Sequence, residues 1–555
     1  METAEKPAPP VPASFETSPA EYRHLRLQVD GNIARLFLSV REDAPLVPGY
    51  ALKLNSYDLG VDIELFDAVQ RLRFSHPEVS AVILTSDRDR VFCAGANIHM
   101  LAQSSHGFKV NFCKYTNETR LCIEDASLNS GQKYVAAVSG ACAGGGYELA
   151  MACDEIILID DGSSTVSLPE VPLLGVLPGT GGLSRLVDKR KVRRDQADVF
   201  ATLAEGIRGR RAEQWRLVDR IVPRSRFHQA VEDRARSLAA KTPKSPGSRP
   251  GIVLQPLSPV CENNTVAYSF VTLQIEARRV ARLTVRGPNG EQAVRSAEQL
   301  HTLAGEGKLW ALQAFRELDD ALCRLRFHCP EVGLVLVFAR GSQHDTVAAD
   351  EALWALKEDW LGREVLLNMA RVLRRFDMTS KTFFAVADAE SCFSGSLLEL
   401  LLASDRSYVF DDPSVSFATS PLLFGALLCG NGQTRLGLRH QADASKIGQL
   451  ADHRGSLTVQ QADDFGFCTV VADEIDFADT LRLAVEERSS MSPDALTAME
   501  QNLRFPGPDN LHGKVFGRLT AWQNWIFIRG NATGPQGALT CYGRPERPVF
   551  DFRRT

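Results

Sequence analysis

The chain repeats itself, and this constrains its fold more than any other feature. "RLRFSHPEVSAVILTS" from Arg71 returns as "RLRFHCPEVGLVLVFA" from Arg324, and "ARLFLSV" at Ala34 returns as "ARLTVRG" at Ala281. "YELAMACDEIILIDDGSSTVSL" from Tyr147 pairs with "LELLLASDRSYVFDDPSVSF" from Leu398, and "GTGGLSRL" pairs with "GNGQTRL". These blocks keep their order at a nearly constant offset of about 250 residues, as a duplicated domain would. A length of 555 residues also exceeds what one ordinary core organises.

Each copy alternates short β-branched runs ("NIARLFLSV", "SAVILTS", "YVAAVSG", "EIILID") with helical patterns such as "DIELFDAVQRLRF". That alternation predicts an α/β layout with mostly parallel pairing. The expected organisation is a disordered start over 1–20, a first domain over 21–240, a Pro/Ser/Gly-rich linker over 241–259 and a second copy over 260–480. A C-terminal helical region and polar tail follow over 481–555.

Formal net charge is only −5 with both signs interspersed, which gives no footprint for nucleic acid or a membrane surface. No apolar run approaches the roughly 20 residues that span a bilayer, and the start lacks the apolar core of a signal peptide, so a cytoplasmic protein is expected. Twelve cysteines lie between Cys93 and Cys541 without CxxC pairs or zinc-like spacing, which predicts free thiols and no metal site.

The copies differ where chemistry would sit. "VFCAGANIHML" in the first becomes "GSQHDTVAADEAL" in the second, the triple glycine of "AGGGYE" becomes "SGSLL", and "SLPE" ending at Glu170 becomes "SFAT" ending at Thr419. Glu399 and Asp405 stand where the first copy has Glu148 and Asp154. One copy reads as active and the other as a scaffold.

In "CAGAN", small residues follow a strand and precede a helix, so Ala96 and Asn97 are candidates to present a backbone N–H; a plain turn is the alternative. In "AGGGYE" the glycines allow a ligand to approach the free N–H groups of a helix start, which makes Gly145 a second donor candidate. Two donors on one oxygen form an oxyanion hole, each worth about 3 to 4 kcal/mol in the transition state. Tight packing is the alternative; a phosphate loop is disfavoured because neither GxGxxG nor GK[ST] spacing is present. Glu148 sits in the first turn of that helix, where the dipole alone favours a carboxylate. Glu170 stands in an apolar run where a carboxylate is costly without partners. If the fold brings the two together, one can take a proton while the other gives one.

Taken in order, "VFCAGANIHML", "AAVSGACAGGGYELAMACDEIIL", "SLPEVPLLGVLPGTGGLSRL" and "GRRAEQWRLVDRIVP" resemble the successive signatures of the crotonase (enoyl-CoA hydratase/isomerase) superfamily. The match runs over roughly residues 25 to 230, with a degraded second match from about 275 to 475. The resemblance implies a duplicated ββα spiral, an acyl-CoA substrate, Ala96 and Gly145 as the thioester-oxygen donors, and Glu148 and Glu170 as the acid/base pair. It implies no metal, flavin or nicotinamide, since CoA arrives as part of the substrate.

The doubled layout, the long "PLVPGYALKLNSYDLGVDIEL" segment and the "RGNATGPQGALTCYG" ending depart from a plain hydratase and resemble a ring-cleaving branch of that superfamily. The reaction implied is hydrolytic opening of an oxidised, non-aromatic benzoyl-CoA ring, releasing formate and an unsaturated six-carbon aldehyde acyl-CoA. A hydratase with an extra domain and a non-catalytic acyl-CoA-binding protein are the competing readings. By the same resemblance Cys113 lies in the wall of the acyl pocket, as a weak donor or acid or as simple packing, and Lys53 is a candidate for CoA. Cys122, Cys142 and Cys153 read as packing. The basic run "DKRKVRRD", 188 to 195, reads as a solvated helix start or subunit contact rather than a phosphate site, and His99 and His106 as exposed or packing residues. The superfamily implies a homo-oligomer, here a homodimer if the second copy replaces a neighbouring subunit.

Overall fold

The computed structural model describes residues 13–242, 250–277, 279–290 and 294–555. The expected disordered start lies outside these residues up to 12, and the centre of the expected linker, 243–249, lies outside as well. Contacts divide the chain into two compact units, Met1–Leu254 and Gln255–Thr555.

In the first unit, six strands form one sheet: β1 (Leu25–Asp30), β2 (Ile33–Leu38), β3 (Ala81–Ser86), β5 (Lys133–Val138), β7 (Glu155–Asp160) and β9 (Arg220–Pro223), hydrogen-bonded in that order. β1 and β2 are antiparallel and every later pair is parallel, with Ile33 opposite Ala81 and Val135 opposite Glu155. β3, β5 and β7 are nearly continuous apolar runs because both faces of a parallel sheet are covered. One face packs Ile33, Ile83, Val135, Ile157 and Val222 against Phe227, Val231, Ala235 and Leu238 of the helix Phe227–Lys241. Three short strands, β4 (Val91–Cys93), β6 (Ala141–Ala143) and β8 (Thr165–Ser167), form a second, parallel sheet.

The second unit repeats this plan. β12 (Val271–Ile275), β13 (Val280–Arg286), β14 (Leu334–Arg340), β15 (Thr382–Ala387), β16 (Arg406–Phe410) and β19 (Val470–Ala472) take the order and directions of the first sheet. β10 (Val260–Glu262) and β11 (Thr265–Ala267) extend its antiparallel edge. β17 (Ser416–Phe417) and β18 (Leu457–Thr458) form a separate pair. The counterpart of β4 is lost: "SQHDTVAADEAL" falls in a helix, Gln343–Ala355, capped by Ser342. Helices Pro493–Leu503 and Thr520–Phe527 populate the expected C-terminal region. The chain end does not trail into solvent: Arg554 is buried, with its guanidinium on Glu500.

Two stretches expected to be loose are packed where they are described. The Thr17 carbonyl accepts from Arg71, and the Phe15 ring lies 5.9 Å from Tyr115. Ile252 N–H donates to Phe74 at 2.8 Å, and the Ile252 and Leu254 side chains are buried. Apolar residues interspersed among the prolines supply the burial that composition alone conceals.

Candidate active site

β4, β6 and β8 lie side by side and run in one direction, with Val91 opposite Ala141 and Ala143 opposite Ser167. Their C-terminal ends therefore deliver three segments to one edge: Ala94–Asn97, Gly144–Gly146 and Leu168–Glu170. Residues remote in sequence meet because parallel strands place like ends together.

The first turn is held by the segment preceding the helix Leu59–Phe74. Ala94 N–H donates to Leu54 at 3.1 Å, Tyr57 N–H to Gly95 at 3.0 Å, and Asn97 N–H to Tyr57 at 2.8 Å. Tyr57 and Ala96 form a parallel bridge in which the bonded groups belong to Gly95 and Asn97, leaving the Ala96 N–H on the opposite side. Asn97, expected as an alternative donor, does not qualify. Its N–H is spent on Tyr57, its side chain caps the helix Ile98–Gln103 through Met100, and its amide reaches Ala51 and Ser56.

Each glycine of the triplet answers to a different neighbour. Gly144 has φ +52°, and a Cβ there would lie 2.7 Å from Glu170 Oε1. A Cβ on Gly145 would lie 1.9 Å from the Tyr57 hydroxyl, and one on Gly146 2.3 Å from the Cys93 carbonyl. The two turns touch: a Cβ on Gly95, at φ +88°, would sit 2.8 Å from Gly145 N and 2.9 Å from the Ala143 carbonyl. Gly145 opens the helix Gly145–Ala152, so its N–H lies among those without an intrahelical acceptor.

Glu148, in the first turn of that helix, is 2 % exposed. Its Oε1 accepts from Thr180 N–H at 2.9 Å and Gly182 N–H at 2.7 Å, and its Oε2 accepts from the Thr180 hydroxyl. The "PGTGG" loop thus fixes its orientation, and Gly182 has no room for a side chain because a Cβ would come within 2.8 Å of Oε1. Glu170, 9 % exposed, has no hydrogen-bond partner for Oε2 among the described residues. Burial first, and the neighbouring Glu148 charge second, push its carboxyl up to about 7. The fold therefore brings the two glutamates together in contrasting environments, one anchored and one poised to exchange a proton near neutrality.

Cys113, half-buried, senses Glu148 and Asp62, and burial holds its thiol up at about 11; it stays protonated at neutral pH. Lys53 is exposed, one residue before the carbonyl that anchors the first turn. His99 is exposed. The basic run is largely committed to ion pairs: Lys189 with Glu124, Arg190 with Asp219 and Arg193 with Asp195. All twelve cysteines are free, and Cys122, Cys142 and Cys153 are buried. Among the described residues no group of three or more His, Cys, Asp or Glu is placed to hold a metal ion, and no helix is long and apolar enough to cross a membrane.

Sequence reasoning missed Tyr57, Asp62, Arg120 and the anchoring role of Thr180. Arg120 pairs with Asp62 at 2.5 Å, both essentially without solvent exposure, and Thr116 also donates to Asp62. The Arg120 guanidinium lies 5.0 Å from the Tyr57 ring centroid. No sequence pattern sets Arg120 apart from Lys109, Lys114, Glu118, Glu124 and Asp125 of the same helix; only its burial does.

The second copy is an internal control. Gly395, at φ +54°, matches Gly144, and the following Ser396 N–H, counterpart of Gly145, donates to Asp350 Oδ2 at 2.5 Å. Asp350 also accepts from the Ser396 and Ser420 hydroxyls. It comes from the helix that replaced β4 and the first turn. A carboxylate oxygen therefore occupies the place at which Gly145 would hold an oxyanion. Glu399, counterpart of Glu148, is tied instead to Arg435 at 3.0 Å.

A family described as enoyl-CoA hydratase/isomerase matches residues 52–247. A benzoyl-CoA-dihydrodiol lyase of Aromatoleum evansii is 46 % identical over 545 residues, spanning 97 % of each chain. The alpha subunit of a fatty acid oxidation complex from Shewanella putrefaciens is 29 % identical over 42 % of this chain and 31 % of its own. A solved enoyl-CoA hydratase from Geobacillus kaustophilus HTA426 is 33 % identical, with a TM-score of 0.35, over 40 % of this chain and 75 % of its own.

Proposed function

The chain belongs to the enoyl-CoA hydratase/isomerase family, and from that premise we propose that it is a carbon–carbon lyase that opens an epoxidised, dihydrodiol-type benzoyl-CoA ring in aerobic benzoate degradation. The observation that carries this reading is the full-length likeness to a benzoyl-CoA-dihydrodiol lyase, which covers both copies and the helical end. The geometry of the first unit supplies the chemistry.

Atom balance defines the task. Epoxidised benzoyl-CoA plus two waters gives formate and an unsaturated six-carbon semialdehyde acyl-CoA, with no net gain or loss of electrons. The reaction therefore calls for proton transfers and a carbanion sink. In this reading the Ala96 and Gly145 N–H groups hold the thioester oxygen while negative charge develops on it, so the electron pair released by C–C cleavage is stabilised as an enolate. Glu170, with an unpartnered oxygen and a carboxyl near 7, takes a proton from water. Glu148, held as an acceptor by Thr180 and Gly182, orients that water, and the proton taken by Glu170 is passed on to the ring carbon or oxygen. Cys113 remains a neutral thiol in the pocket wall, and Lys53 is assigned to the CoA moiety. The enzyme is read as cytoplasmic and needing no metal, flavin or nicotinamide. It is also read as a homo-oligomer, because the exposed apolar run Val171, Leu173, Leu174, Val176 and Leu177 beside Glu170 calls for a cover.

The test is formate release from enzymatically epoxidised benzoyl-CoA, with Glu148→Gln and Glu170→Gln alongside. Loss of formate in both variants supports the assignment, and full turnover in both overturns the acid/base roles. The family match and the paired glutamates also suit a plain hydratase, which would instead hydrate crotonyl-CoA at ordinary hydratase rates.

A further inference from the structure

Tyr57 sits at the centre of the first unit's chemistry without a task. It is 3 % exposed, its backbone forms the bridge to Ala96, and its hydroxyl touches the Cα face of Gly145. That hydroxyl has no hydrogen-bond partner among the described residues. A buried, unpaired hydroxyl forfeits its hydration without compensation, so a native fold that keeps one points to a partner that arrives later.

The duplicate shows that the arrangement is dispensable for folding. The repeated "RLRF" at Arg71 and Arg324 carries Tyr57 onto Trp310 and Asp62 onto Phe315. Trp310 keeps the aromatic bulk but satisfies its Nε1–H on the Arg286 carbonyl at 2.8 Å. Arg185 pairs with Glu124 as Arg435 pairs with Asp377, and this match carries Arg120 onto Leu373. The buried Asp62–Arg120 pair is thus apolar in the copy whose hole is filled by Asp350. Buried ion pairs are commonly replaceable by apolar residues at no cost in stability, so the fold alone does not account for retaining this one. In the first unit Arg120 lies over the Tyr57 ring and draws electron density from the phenol, while burial keeps the hydroxyl protonated.

We propose that the Tyr57 hydroxyl is a third hydrogen-bond donor to the acyl oxygen held by Ala96 and Gly145, with the Arg120–Asp62 pair positioning its ring. This rests on the functional reading above. It gives the substrate oxygen one side-chain donor beside two backbone donors, and it explains why position 145 admits no side chain.

The test compares wild type with Tyr57→Phe in three measurements on the full-length protein: formate release, the absorption of bound para-dimethylaminobenzoyl-CoA, and the unfolding midpoint. The probe's push–pull chromophore shifts to the red when its thioester oxygen accepts hydrogen bonds, whether or not turnover occurs. Tyr57→Phe is expected to lower kcat about 100-fold with little change in KM, to shrink the red shift, and to leave stability unchanged or raised, because the hydroxyl is unpaired in the free protein. An equal red shift in both proteins overturns the proposal, as does an activity loss matched by lost stability. If wild type releases no formate the functional reading falls, while the spectral comparison still decides the role of Tyr57.

Discussion

Replacing Glu170 by Gln should stabilise the protein in a pH-dependent way while it removes turnover. The carboxyl moves from 4.5 in the unfolded chain to about 7 in the fold, chiefly through burial. A raised carboxyl favours the folded state while protonated, and that advantage is lost as pH rises from the unfolded value through the folded one. The loss amounts to about 3 kcal/mol once the carboxylate predominates. Gln mimics the protonated acid at every pH. The variant should therefore match wild type below about pH 4.5, gain on it between about 4.5 and 7, and hold a constant lead above that. Urea unfolding of both proteins at a series of pH values, monitored in the same buffer ions, reads the difference directly. A difference that is flat across this range would refute the assignment of a strained, buried carboxyl at this position, and with it the general-base role.

Gly145→Ala places a methyl 1.9 Å from the Tyr57 hydroxyl, so it should cost about 1 to 3 kcal/mol of stability and abolish formate release; denaturant titration and a formate assay check both. Thr180→Val removes the hydroxyl donor to Glu148 and should lower kcat about 10- to 100-fold with the fold intact by circular dichroism. Asp350→Asn keeps a polar group in the filled hole of the second unit and should leave turnover unchanged; a second equivalent of bound acyl-CoA by calorimetry would show that copy to be a working site.

Much of this architecture is legible in the sequence because parallel strands buried on both faces read as continuous apolar runs, and "SAVILTS", "YVAAVSG" and "EIILID" fall on β3, β5 and β7. The pairing of the two glutamates is not. Glu148 and Glu170 are brought together by the adjacency of β6 and β8, a three-dimensional fact that spacing does not encode. Asn97 was open to misreading as a donor, although asparagine before a helix is a strong capping signal, and capping is what it does. Tyr57 and Arg120 were invisible for a different reason. Each matters through an atom left unpaired or a charge left buried, and sequence pattern carries no record of either. The second copy is partly the reverse case: loss of the glycines was readable, but the carboxylate that fills the vacated hole comes from a helix whose placement only the fold reveals.

The proposed function requires the first unit to cleave a carbon–carbon bond rather than merely add water. Mass spectrometry of the acyl-CoA formed from epoxidised benzoyl-CoA separates the two outcomes. Cleavage yields a product lighter than the substrate, corresponding to two waters gained and formic acid lost, with formate in equimolar amount. A product heavier by one or two waters, with no formate, would overturn the lyase assignment.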